Sequence, residues 1–270
     1  MSGLAMNPAE IAADPVDREL SEVLSPSQVR CFMDCQARWW FKYGLKQRDP
    51  QTGNLALGRA VHFSLGSNFA QKVETEEDLP TAGVRALFRE AWAIEREQTE
   101  FRDDENPAEL AATGEALVAK YMDQVAHTIE PAAVELHVEG EISGVKVEGW
   151  IDLLDVEGRV IDIKTAKARP SGIEPIHRFQ LATYRQLASG ASGVGRIDPL
   201  VKTKAPQLVS QNFEVTADDL RVIETLYPLA QESMRSELYM PNRLSMMCSR
   251  RNCSYWRCCE TEWGGEVPER

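Results

Sequence analysis

The chain has 270 residues, 43% hydrophobic and 27% charged, enough apolar material for one large core or two small ones. Its 42 Asp and Glu against 30 Lys and Arg give a net charge of −12, which excludes a globally basic nucleic-acid binder and leaves only a local basic groove. No apolar run approaches the roughly 18 residues of a membrane span, so a cytoplasmic chain with no membrane partner is expected.

Residues 1–22 read as a flexible acidic lead in which Pro8 and Pro15 break any helix. Ser25-Pro26-Ser27 then offers an N-cap with proline in the first turn, and the apolar spacing that follows predicts a helix from about 26 to 44. Arg30, Arg38, Lys42, Lys46 and Arg48 lie on this stretch among Trp39, Trp40, Phe41 and Tyr43, which suits either a strand-tracking groove or plain core packing. A second helical pattern, LALGRAVHFSLGSNFAQKV, carries His62 near its middle. Residues 71–110 hold twelve acids against five bases, a solvated face unsuited to phosphates, and helices are predicted around 81–100 and 107–128. Together they are expected to form a helical insertion or cap at about 75–130.

From about residue 133 the period changes to alternation. Three consecutive strands are predicted, VELHVEGEISG, VKVEGWIDLLDVEG and RVIDIKTA, the last two joined by a turn at Glu157-Gly158. A helix over 174–188, strands near 195–204 and 208–215, and a last helix to about 237 opened by Thr216 and Asp219 complete the pattern. The order indicates α/β or α+β with one mixed sheet.

In a strand, residues two apart share a face, so Asp162 and Lys164 project together while Ile161 and Ile163 point into the apolar layer. Asp152, on the preceding strand, can sit across from Asp162. Two facing carboxylates repel unless a cation stands between them, and hard oxygen ligands suit Mg²⁺ or Mn²⁺. The same residues also fit a bland account, two surface acids and a cross-strand lysine. Six cysteines fall in two groups, Cys31 and Cys35, then Cys248, Cys253, Cys258 and Cys259. In a reducing compartment such grouping points to thiolate ligands for a metal or cluster more than to disulfides.

Gly149-Trp150-Ile151-Asp152, Asp162-Ile163-Lys164 and Gln180-Leu181-Ala182-Thr183-Tyr184 resemble, in order, the strand, strand and helix motifs of the PD-(D/E)XK nuclease superfamily. Gly58-Arg59-Ala60-Val61-His62 resembles the RecB-like branch, which includes CRISPR-associated exonucleases. The resemblance spans about residues 23–264. It implies a restriction-endonuclease-like α/β core with a mixed sheet flanked by helices, as one domain over 23–270. It also implies a metal-dependent DNA exonuclease hydrolysing phosphodiester bonds, acting on single strands or DNA ends in recombination or repair, phage DNA processing or CRISPR spacer acquisition. The alternative it leaves is a non-cleaving DNA-end-binding partner of a recombination or CRISPR-integration complex.

By the same resemblance His62, Asp152, Asp162 and the Ile163 carbonyl would hold Mg²⁺ or Mn²⁺. Lys164 would position the attacking water, Gln180 and Tyr184 would orient Lys164 or the phosphate, and Glu135 would reach the ion through water. Cys35, after the Ser-Pro-Ser helix start, with Cys248, Cys253 and Cys258, would ligate a [4Fe-4S] cluster, with Zn²⁺ as the alternative. The doublet Cys258-Cys259 departs from the pattern, and Cys31, one helical turn before Cys35, stays in reserve.

Overall fold

The structure, a computed structural model, describes residues 22–203 and 205–269; all of the acidic lead but Glu22 lies outside them. Along the chain the elements are β1 (Val23–Leu24), α1 (Pro26–Asp34), α2 (Gln36–Trp39) running into a π-helical turn (Trp40–Gly44), α3 (Gly53–Thr75), α4 (Thr81–Glu97), α5 (Pro107–Gln124), a 3-10 turn (Ala126–Thr128), β2 (Pro131–Ile142), β3 (Val145–Asp155), β4 (Val160–Ala166), α6 (Pro175–Leu187), β5 (Val194–Val201), β6 (Gln207–Leu208), β7 (Gln211–Glu214), α7 (Ala217–Arg235) and α8 (Trp256–Trp263). Two compact units are formed. Among the described residues, the smaller takes 22–50, 141–147 and 224–269, and the larger takes 51–140 and 148–223.

In the larger unit β3 and β4 are antiparallel, while β4 and β5 run parallel over seven pairs from Val160↔Gly195 to Ala166↔Val201, with α6 as the crossover. β6 and β7 add antiparallel to β5, and β2 pairs with β3, so the sheet is mixed, as its strand pattern predicts. The β3–β4 turn is held by Asp155, whose carboxylate accepts the backbone N–H groups of Glu157 and Arg159. Gly158 there has φ +75°, and a Cβ on it would stand 2.4 Å from the Gly190 carbonyl oxygen, so only glycine fits.

The helices at 81–97 and 107–124 do not form a separate cap. Val84, Phe88 and Trp92 of α4, Leu117, Val118 and Tyr121 of α5, and Leu57, Val61, Leu65 and Phe69 of α3 share one core with Leu153, Ile161, Ile163 and Leu200 of the sheet. α3 buries one side in this core and leaves Leu55, Arg59, Phe63 and Ala70 exposed on another, and the buried side anchors the helix that carries His62.

At the centre of that core Asp198 is fully buried. Its Oδ2 accepts from the Tyr121 hydroxyl at 2.9 Å and its Oδ1 from Arg196 Nε at 2.8 Å. A buried carboxylate is tolerable only with such donors. Tyr121→Phe, which strands Oδ2, is expected to cost about 1–3 kcal/mol in urea unfolding without moving the sheet.

The predicted cap of α7 is formed: Thr216 Oγ1 accepts from Asp219 N–H, and Asp219 Oδ2 from Thr216 N–H. Arg178 grips the same carboxylate through two nitrogens, at 2.8 and 2.6 Å. The Arg178 hydrogen bond, aided by those from Thr216, holds the Asp219 carboxyl down at about 2. A depressed carboxyl stabilises the fold above its unfolded value near 4 and loses that contribution as pH falls toward 2. Asp219→Asn should therefore flatten the acid limb of a stability–pH curve between about pH 4 and 2, leaving the neutral region less stable.

In the smaller unit β1 pairs parallel with the start of β3, Val23↔Lys146 and Leu24↔Val147. The helix expected over 26–44 is broken at Cys35, whose backbone is extended (φ −159°, ψ 110°). The segment at 240–242 accounts for the break. Met240 O accepts from Ala37 N–H, the Asn242 side chain donates to Asp34 O, and Asn242 N–H reaches Cys35 Sγ at 3.4 Å. Cys31 and Cys35 therefore do not lie on one continuous helix face. Trp39 and Phe41 are buried, and Trp40 stacks on Tyr239 at 4.6 Å, so these aromatics serve packing and not a groove. α8 has no counterpart among the predicted elements; it carries Cys258 and Cys259 into a small core with Phe41 and Tyr255. No helix among the described residues is long and apolar enough to cross a membrane.

Candidate active site

The β3–β4 ladder pairs Leu153 with Ile161, and one step further Asp152 faces Asp162. Here the strands part, and the Asp152 side chain takes over from the backbone: its Oδ2 accepts the Ile163 N–H at 2.9 Å. The same oxygen lies 3.4 Å from His62 Nδ1 on α3. Gly58, one turn earlier on α3, has no side chain toward Thr165 of β4, where an added Cβ would stand 3.4 Å from the hydroxyl.

Glu135 completes a group. His62, Glu135 and Asp152 each offer a ligand atom, all within 4.8 Å of one another. Glu135 sits inside β2 with φ +48°, a left-handed conformation that a glutamate adopts at a cost of about 1–3 kcal/mol. From the sequence it reads only as a water-mediated neighbour; the backbone excursion is what brings it in, and no residue pattern signals it.

Asp162 is 2% exposed. Its Oδ1 meets Lys164 Nζ at 2.7 Å and Gln180 Nε2 at 3.2 Å, while its Oδ2 is buried with no hydrogen-bond partner among the described residues. Gln180 Nε2 also donates to the Tyr184 hydroxyl at 3.1 Å, so α6 ties both of its predicted residues to the acidic pair. Gly149 makes room for them, because a Cβ there would lie 2.5 Å from the Tyr184 ring.

Burial, and next to it the Asp162 charge, push the Asp152 carboxyl up to about 6 against the pull of His62, Lys164 and the Ile163 N–H. Burial also pushes Tyr184 up to about 12. Burial works against the Lys164 ammonium, yet Asp162 and Asp152 outweigh it and hold its pKa above the usual value. Uncompensated negative charge and an orphaned carboxylate oxygen are what a hard divalent cation would relieve, so the donor set fits Mg²⁺ or Mn²⁺.

The cysteines fall in the smaller unit. Cys35, Cys248, Cys253 and Cys259 line one cavity together with Arg38 and Tyr255. Cys258, the expected ligand, is not on that wall; its Sγ stands 4.0 Å from Gln47 Oε1. Adjacent residues on a helix point about 100° apart, so α8 can offer only one of the doublet to the cavity. Cys31 is not on the wall either. Among the described residues no three thiols come within 4.8 Å of one another. Burial raises two of these thiols, Cys253 to about 12 and Cys259 to about 11. Arg38 Nε is buried there without a hydrogen-bond partner among the described residues.

Comparison with known proteins bears on the fold and the family. The crystal structure of a provisionally designated exonuclease from Eubacterium rectale superposes with a TM-score of 0.59 at 14% identity, covering 96% of this chain and 97% of that one. At this identity the likeness concerns the fold. The structure of SSO0001 matches with a TM-score of 0.35 at 14% identity over 74% of this chain and 84% of its own, too weak to add to the fold. No curated protein matches. The model of the PD-(D/E)XK nuclease superfamily matches residues 23–260, which takes in His62, the paired aspartates, Lys164, Gln180 and Tyr184, and the chain therefore belongs to that superfamily.

Proposed function

We propose that the protein is a divalent-metal-dependent deoxyribonuclease that works from DNA ends. The observation that carries it is the group of His62, Glu135 and Asp152, whose ligand atoms lie within 4.8 Å of one another, together with Asp162, which stands outside that group with one buried oxygen unpartnered among the described residues and the Lys164 ammonium 2.7 Å from the other. His62, Glu135, Asp152, Asp162 and the Ile163 carbonyl would hold Mg²⁺ or Mn²⁺. Such an ion, when bound, polarises a phosphoryl oxygen and acidifies a water. Lys164 is charged and half-buried, suited to orient the attacking water and to offset charge developing on the phosphate oxygens. Gln180 fixes Asp162 and Tyr184 in one hydrogen-bonded line, so neither has to reorganise during the reaction.

The smaller unit would carry a [4Fe-4S] cluster on Cys35, Cys248, Cys253 and Cys259, with Cys259 in place of Cys258. The thiol spacing supports a cluster over zinc. Tetrahedral zinc at about 2.3 Å from each sulfur needs thiols about 3.8 Å apart, closer than any three thiols here. A cubane, in which each cysteine binds a different iron, spreads them wider. The Arg38 guanidinium lines the same cavity and would face an anionic group with either metal. Action in recombination, repair, phage DNA processing or spacer acquisition, with a protein partner, rests on the family resemblance.

Digestion of end-labelled single- and double-stranded DNA with Mg²⁺ and with Mn²⁺ tests the chemistry. Stepwise shortening that stops in Lys164→Ala supports it. Tight DNA binding with no cleavage by metal-loaded, cluster-loaded protein would instead favour a non-cleaving end-binding protein.

A further inference from the structure

The hairpin that supplies Glu135 and Asp152 carries a second pair on the same face. Ser143 and Gly144 form a two-residue turn, both in the left-handed region (φ +49° and +84°), so Ile142 and Val145 flank it. Counted from there, His137 stands opposite Trp150, and two residues before His137 lies Glu135, whose ligand atom is within 4.8 Å of that of Asp152. The two pairs are two residues apart on each strand and hence lie on one face, about 7 Å from each other. The rings of His137 and Trp150 are in contact, with centroids 4.6 Å apart and planes tilted by 40°. Trp150 is 57% exposed, unusual for the largest apolar side chain. His137 is held from its other side by Glu148, 3.3 Å from Nε2.

The geometry points to Trp150, backed by His137, as a stacking platform for a nucleobase beside the phosphate held at the metal centre, which makes an unpaired strand the preferred substrate. This rests on the nuclease reading above and names its substrate class. An exposed indole next to a phosphodiester site accepts any base through its π-face, because stacking needs no hydrogen-bond code. A base still paired within a duplex cannot present that face. Two residues along the strand, about 7 Å, is the reach of one nucleotide, so base and scissile phosphate belong to neighbouring positions. His137 limits the freedom of the indole and so lowers the ordering cost of binding.

The test uses the full-length protein, single-stranded oligodeoxynucleotides with and without one abasic position, and the matching duplex. Trp150→Ala should raise KM for the single strand about tenfold and leave kcat within about twofold, while Trp150→Phe stays close to the unsubstituted protein. A single abasic position next to the scissile phosphate should weaken binding to the unsubstituted protein by a similar factor and cost Trp150→Ala nothing further. If the abasic penalty persists unchanged in Trp150→Ala, or if that variant loses kcat alone, the platform is refuted even while cleavage continues. If the protein cleaves nothing yet its affinity for single strands drops in Trp150→Ala, the platform stands and the nuclease reading fails. If Trp150→Ala matches the unsubstituted protein on every substrate, the indole has another use, such as contact with a protein, and the proposal falls.

Discussion

Asp152→Asn is expected to lower cleavage by on the order of 10³-fold while leaving the metal-free protein at least as stable as before. The two halves of this result come from one geometry. Asp152 and Asp162 face each other with little water around them, and burial with that mutual repulsion drives the Asp152 carboxyl up to about 6. An asparagine removes one of the two charges, yet its side-chain oxygen still accepts the Ile163 N–H. What it removes is the attraction for a cation. In the unsubstituted protein, Mn²⁺ at 100 times its dissociation constant should add about 2.7 kcal/mol of stability, visible as a rise in Tm over the EDTA control. In Asp152→Asn that rise should vanish. Lys164→Ala separates the roles: cleavage should fall about 10²- to 10³-fold while most of the metal-induced rise in Tm remains, because the carboxylates are intact. An Asp152→Asn protein that keeps both its activity and its response to Mn²⁺ would show that the cation, if any, sits elsewhere.

The second large effect concerns the cysteine doublet. If the smaller unit holds the proposed cluster, Cys259→Ser should abolish the visible absorbance and the bound iron of anaerobically purified protein, whereas Cys258→Ser should keep both. Binding energies at four-thiolate structural sites are on the order of 10 kcal/mol, comparable with the about 5–15 kcal/mol that stabilises a whole domain. Losing a ligand should therefore unfold the smaller unit, which far-UV circular dichroism and limited proteolysis would report. Cys258 is buried beside Phe41 and Tyr255, so its serine variant should cost only about 1–2 kcal/mol. Iron lost from Cys258→Ser and retained in Cys259→Ser would reverse the assignment. Zinc in place of iron, with the same pattern of loss, would leave the ligand set standing and change the group.

The sheet and the side chains it brings together were legible from residue order because strand alternation is a local property. Ile161 and Ile163 face the core, so Asp162 and Lys164 must share the other face, and a short turn brings Asp152 opposite. Gln180 and Tyr184, four apart on a helix, were bound to lie together. Three features depended on contacts between distant segments. Cys35 breaks its helix because residues 240–242 offer better partners to the backbone on either side, which no local propensity records. Cys259 and not Cys258 reaches the cavity because the rotation of α8 about its axis is set by what packs behind it, and adjacent positions in sequence cannot reveal that angle. Glu135 joins the acidic group through a left-handed residue within a strand, a strained state that only the surrounding packing can hold in place.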